Sequence, residues 1–152
     1  MDWYPWIVFL HVVGAFGFVF GHGASAFVSM AIRRETDAQR ISAMLRISQL
    51  SLTVMYPSLL LLLAAGVAAG FIGEFWGALW LWLAIGLLVV ELAAMYAIAA
   101  PYYMNLRRAL TDPTVPNDEV VASMSSSRPI VLAWVGIVGL LLIVWLMVVK
   151  PF

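Results

Sequence analysis

Apolar residues fill four long stretches of this chain, and polar residues gather in the short breaks between them. Each stretch reaches the ~20 residues that a helix needs to cross the hydrocarbon core of a bilayer. The pattern predicts an all-α, four-helix integral membrane bundle with spans at about residues 4–32, 44–73, 75–108 and 129–149, so that 1–152 form a single transmembrane domain. The first break is Arg33-Arg34-Glu35-Thr36-Asp37. Thr36 and Gln39 have the spacing of a capping box, which predicts that the second helix starts on the water side near residue 37 before entering the membrane. Its first part, Ala38 to Leu52, is amphipathic, with Gln39, Arg40, Arg46 and Gln49 among the apolar positions. Pro57 falls inside the span and predicts a kink, because its ring displaces one backbone hydrogen bond. Gly70 to Glu74 form a short turn, and the third helix runs from Trp76 past Pro101 to leave the membrane near Arg107-Arg108. Residues 109–128, with Pro113, Pro116 and the serines 123 and 125–127, read as the one substantial extramembrane loop.

The basic residues orient the spans. Arg33, Arg34, Arg40, Arg46, Arg107, Arg108 and Arg128 all fall where helices 1–2 and 3–4 join, and only Lys150 falls on the other side. The excess of positive charge marks the cytoplasmic face, placing both termini outside and both longer loops in the cytoplasm. Trp3, Trp6, Trp76, Trp80 and Trp145 then gather at the outer interface as an aromatic belt. Arg-Arg followed by Thr-Asp occurs at 33–37 and again at 107–112, a short match suggestive of two related hairpins.

Composition agrees with the pattern and narrows the chemistry. The chain is 64% hydrophobic and 11% charged, against roughly 45–50% and about 25% in soluble proteins. Zero cysteines exclude disulfides, zinc–thiolate sites and thiol catalysis. Zero net charge offers no basic surface for nucleic acid. The partners expected are the bilayer and a second copy or a larger membrane complex, in a multi-pass protein of the cytoplasmic membrane. Met1-Asp2-Trp3 lacks a positive leader and a small-residue cleavage site, so the first helix is expected to be retained. No phosphate-binding loop, dinucleotide fingerprint, zinc-protease motif or nucleophile elbow is present.

Both histidines, His11 and His22, lie on the first helix. Eleven residues at 100° each amount to three turns plus about 20°, so both rings leave one face, ~16 Å apart. Gly14, Gly21 and Ser25 fall on or beside that face, with Gly17 close by. A stripe that combines imidazoles with missing side chains offers ligands and room for a flat group, which points to haem b or a related porphyrin. It also fits two polar residues inside a tight helix pair, and Gly17 to Gly21 has the GxxxG spacing of close packing. Aligning the helices by midpoints near residues 17, 60, 91 and 140 puts Met55, Tyr56, Met95, Tyr96 and Trp134 at the depth of His22, at ~1.5 Å per residue. Tyr56 and Met95 are therefore candidate cofactor contacts, Met95 and Met55 as second axial groups. The same alignment puts small residues, Gly66, Ala84 and Gly86, at the depth of His11. Copper is the alternative cofactor, since imidazole and thioether suit it. A copper or small-solute transport component would use the histidines with Glu91. Glu91 falls close to the membrane midplane, where a charged side chain costs at least about 2.5–3.5 kcal/mol. It reads as a proton relay or a partner for either ring. Its structural alternative is a neutral acid bonded to Tyr56 or to a backbone carbonyl freed near Pro57.

Leu10-His11, Gly21 ten residues on and Arg33-Arg34 past the helix resemble the first helix of a broad superfamily. It includes copper-resistance-protein-D-like membrane proteins, their small relatives, and the four-helix haem-b protoporphyrinogen oxidase of bacteria. The third helix adds to the likeness from Trp82 through Pro101 to Leu106-Arg107-Arg108. The resemblance covers two of the four helices. It implies that His11, which matches the first-helix histidine implicated in haem binding, is the iron ligand. A lysine expected on the third helix of the oxidase is absent, with Gly86 near its place, and this argues against oxidase activity. His22 stands where the relatives have a small residue. The reading is a small haem- or porphyrin-binding membrane protein in electron transfer or haem handling. The rival is a non-catalytic subunit that packs against a larger complex through its glycine faces.

Overall fold

The structure, a computed structural model, describes residues 2–112, 114, 116 and 126–152. Four long helices are present: α1 (Tyr4–Ile32), α2 (Ala38–Ile72), α3 (Leu79–Thr111) and α4 (Arg128–Val149), with a 3-10 turn at Phe75–Gly77 before α3. No strand occurs among the described residues, and all four helices are long and apolar enough to cross a membrane. The all-α membrane class expected from the apolar runs is therefore what the chain adopts. Most of the expected loop at 109–128 lies outside the described residues.

The helix boundaries differ from the expected ones where local hydrogen bonding decides them. α2 is one continuous element from Ala38, so the amphipathic lead-in belongs to the spanning helix itself. The cap is Asp37 and not Thr36. Asp37 Oδ1 accepts from the backbone N–H groups of Gln39 at 2.8 Å and Arg40 at 3.3 Å. A carboxylate is the stronger acceptor for these exposed donors, which shifts the cap by one residue. Glu35 Oε1 secures the turn before it, accepting from the N–H groups of Thr36 at 2.9 Å and Asp37 at 3.0 Å. Both helices with an internal proline, α2 at Pro57 and α3 at Pro101, run through it without a break. α3 begins at Leu79 rather than at 75 because Glu74 takes a left-handed conformation (φ 56°) and Ala78 an extended one (φ −89°, ψ 130°). Pro129 sits in the first turn of α4, where its missing N–H costs nothing.

The turn between α1 and α2 carries a pH prediction. The N–H donors of Asp37, then Thr36, hold the Glu35 carboxyl below the ordinary carboxylate range. A lowered folded-state value means that the stabilisation is complete above the unfolded value and is lost as pH falls through the folded one. The Thr36 amide resonance should therefore move toward its disordered position on acidification, and should stop following the Glu35 titration in Glu35→Gln. A Thr36 amide that ignores pH in the wild type would contradict this.

The chain divides into two compact units, one of Met1–Val28 with Met44–Ala78 and one of Ser29–Ala43 with Leu79–Phe152. In the first, α1 pairs with α2, and the ring of Phe75 meets Tyr4 edge-on at 6.4 Å. In the second, α3 packs on α4, with Trp80, Leu81, Ala84, Leu106, Leu132 and Leu146 buried. Trp80, expected in the interfacial belt, is 6% exposed, and Lys150 Nζ stands 5.4 Å from its ring centre. Such a contact is worth about 0.5–1 kcal/mol at an exposed site. Trp3 and Trp6 do project outward, as do Phe16, Phe20 and Phe27. These apolar exteriors face lipid, and the protein is embedded in a bilayer.

Candidate functional site

The seam between α1 and α2 is built from small and polar residues, and each step down α1 meets the matching step up α2. A Cβ on Gly14 would stand 2.6 Å from the backbone nitrogen of Leu62 and 3.0 Å from the carbonyl oxygen of Ser58. One on Gly21 would stand 2.9 Å from both Met55 Cβ and the Ser51 carbonyl oxygen. The Ser58 side chain occupies the space beside Gly17. The missing side chains of these glycines are thus filled by α2, which is how small residues bring membrane helices into van der Waals contact.

Hydrogen bonds close the seam at both ends. At the end nearer Ile32, Ser25 Oγ lies 2.6 Å from Ser48 Oγ. Ser51 Oγ donates to the Ser48 carbonyl within α2 at 2.8 Å and lies 3.3 Å from Ser25 Oγ across the seam. Interhelical bonds of this kind average about 0.6 kcal/mol in a membrane. At the end nearer Tyr4, His11 Nδ1 donates to the Leu62 carbonyl at 2.9 Å. The ring can lie there because residue 66 is glycine: a Cβ at 66 would be 2.9 Å from both Nδ1 and Cε1 of His11.

That bond fixes the chemistry of His11. A carbonyl oxygen only accepts, so Nδ1 carries a proton, and of the two neutral tautomers the bond selects the one whose lone pair is on Nε2. An imidazole anchored through Nδ1–H to a carbonyl, with Nε2 directed elsewhere, is the arrangement that metal-ligating histidines use. The ring is half-buried, neither sealed in the seam nor fully open to lipid. A porphyrin iron asks the protein for one such nitrogen and a surface for the macrocycle, and the donor at His11 fits the first requirement. A cage for a bare metal ion asks for more. Among the described residues no group of three or more His, Cys, Asp or Glu converges.

The other residues expected at the site are placed differently. His22 is half-buried and stacks on Phe18, one turn earlier on α1, with ring centres 6.1 Å apart and planes 11° apart. Of the residues expected at its depth, Tyr56, Tyr96 and Trp134 are 61%, 78% and 64% exposed. The physical reason is that tyrosine and tryptophan bodies are apolar enough to face lipid, so depth alone does not turn them inward. Met95, on α3, is half-buried.

Glu91 is buried in the second unit, and its carboxyl rests against Gly139 of α4. Its Oε1 has no hydrogen-bond partner among the described residues. Gly139, and Ser48 with Ser51 as the partners of Ser25, were not among the residues expected from the sequence. Both carried a signal: the midpoints near 91 and 140 already put Glu91 and Gly139 at one depth, at ~1.5 Å per residue. Ser48 and Ser51 continue down α2 the register that pairs Gly66 with His11.

A family model described as a predicted integral membrane protein (DUF2269) matches residues 5–151. No curated protein and no solved structure matches the chain.

Proposed function

The chain belongs to the DUF2269 family of predicted integral membrane proteins, and from that premise we propose that it binds haem b or a related porphyrin through His11, in electron transfer or haem handling. The observation that carries this reading is the 2.9 Å bond from His11 Nδ1 to the Leu62 carbonyl, which leaves Nε2 as the ligating atom. Haem bound there supplies a one-electron redox centre inside the membrane. The chain's own residues do the positioning. Leu62 sets the tautomer and plane of the ring, Gly66 leaves the space the ring needs, and the seam of Gly14, Gly17 and Gly21 keeps α2 close enough for the bond to form. His22 is the second candidate ligand. The resemblance of Leu10-His11 and Arg33-Arg34 to the superfamily that includes the haem-b oxidase also supports His11. The glycine at 86, in place of that oxidase's lysine, keeps oxidase chemistry out of the proposal. Titrating the purified protein with haem should saturate the Soret change at equimolar haem, and His11→Ala should not saturate in the same range. Identical titrations for the two proteins would remove His11 from the site.

The proposed setting is the cytoplasmic membrane, with both termini outside. Reporter fusions at residues 36 and 115 should both read cytoplasmic, because the arginines flank both joins. Opposite readings at the two sites would defeat this topology.

A non-catalytic subunit within a larger membrane assembly is the second reading. It is favoured by Gly23 and Gly86, exposed glycines whose missing Cβ meets open space. A haem-free protein that co-purifies in stoichiometric amount with one membrane partner is what this reading expects.

A further inference from the structure

Glu91 belongs to the second compact unit, and its surroundings there are specific. The residue is 8% exposed and its Oε1 is unpartnered among the described residues. A Cβ on residue 139 would overlap Oε1 and Cδ of Glu91 and stand 3.0 Å from Cγ, so only glycine at 139 leaves the carboxyl its seat. On that side the carboxyl touches α4 itself. Neither a hydrated ion nor an ammonium group can stand between them.

The two helices bring no countercharge to this seat. The titratable and charged groups on α3 besides Glu91 are Tyr96, Tyr102, Tyr103, Arg107 and Arg108, and those on α4 are Arg128 and Lys150. Tyr96, the nearest along α3, is 78% exposed. The arginines occupy the helix ends, and Lys150 lies over Trp80. Between Oε1 and the α4 backbone only a proton fits.

We propose that Glu91, seated on Gly139, is a proton-binding site within the membrane. The carboxylate takes one proton from water to become the carboxylic acid and returns it to water on release, with no bond to carbon formed or broken. The test reads the carboxyl and not the haem, so it can fail while the histidine site stands.

Infrared spectroscopy of the protein in lipid bilayers at neutral pH reads the site directly. The other carboxyl side chains, Asp2, Glu35, Asp37, Glu74, Asp112, Asp118 and Glu119, fall between or beyond the four spans. The spectrum should show the C=O stretch of a protonated carboxylic acid, shifted on exchange into heavy water. Glu91→Gln, which keeps size and hydrogen-bonding capacity, should retain the helical circular dichroism and lose the band. Gly139→Ala fills the seat and should move the band in frequency. Absence of an acid band at neutral pH, or a band that survives Glu91→Gln, overturns the proposal. A band unmoved by Gly139→Ala overturns the seat on α4. Loss of the band on adding sodium or potassium ions overturns the restriction to protons.

Discussion

His11→Ala should strip the haem from the protein, whereas His22→Ala should leave most of it bound. The difference rests on what each ring touches. His11 is anchored by Nδ1 to the Leu62 carbonyl, which orients Nε2 as the ligating atom. His22 stacks on Phe18, a contact worth about 0.5–1.5 kcal/mol that alanine removes without opening the α1–α2 seam. Gly66→Ala gives an intermediate case. Its methyl group would push the ring off the Leu62 carbonyl while leaving the imidazole in the chain. Loss of such an orienting bond weakens metal binding roughly 10–100-fold, which a haem titration can measure. Retention in His11→Ala with loss in His22→Ala would transfer the ligand to His22. Retention in both would end histidine ligation.

Gly14→Ala should destabilise the protein while Gly23→Ala does not, although both add one methyl group to α1. At Gly14 the new carbon meets the backbone of α2, 2.6 Å from Leu62 nitrogen and 2.8 Å from its Cα. Backbone cannot rotate away as a side chain can, so the helices must separate, at a cost of about 1–3 kcal/mol. Separation also lengthens the His11 bond, so haem affinity should fall with stability. At Gly23 no atom lies within 4 Å of the added carbon, and alanine is the better helix former. Thermal unfolding in detergent separates the two cases, and equal shifts for both substitutions would contradict the seam as described.

The legibility of the sequence followed the physics of the membrane. Four spans could be read because a bilayer demands an apolar run of fixed length, and no competing interaction blurs that demand. Depth could be read as well: alignment by rise per residue put Gly66 level with His11, and the structure has the two in contact. Facing could not. Lipid and protein interior are both apolar, so Tyr56, Tyr96 and Trp134 gave no sign that they point outward. The capping residue slipped by one because Thr36 and Asp37 are both good caps, and the choice was made by Glu35 holding the preceding turn. The role of Gly14 and Gly21 was open between packing and clearance for a flat group. Only the position of α2, which hydrophobic periodicity does not encode, places the Leu62 and Met55 backbones against them.

The most direct measurement of the central claim is the reduced-minus-oxidised visible spectrum of the protein purified from haem-replete membranes. A porphyrin ligated through His11 predicts a Soret band with visible bands that sharpen on reduction, all lost in His11→Ala. A colourless preparation from such membranes, folded and without a Soret band, would contradict the account.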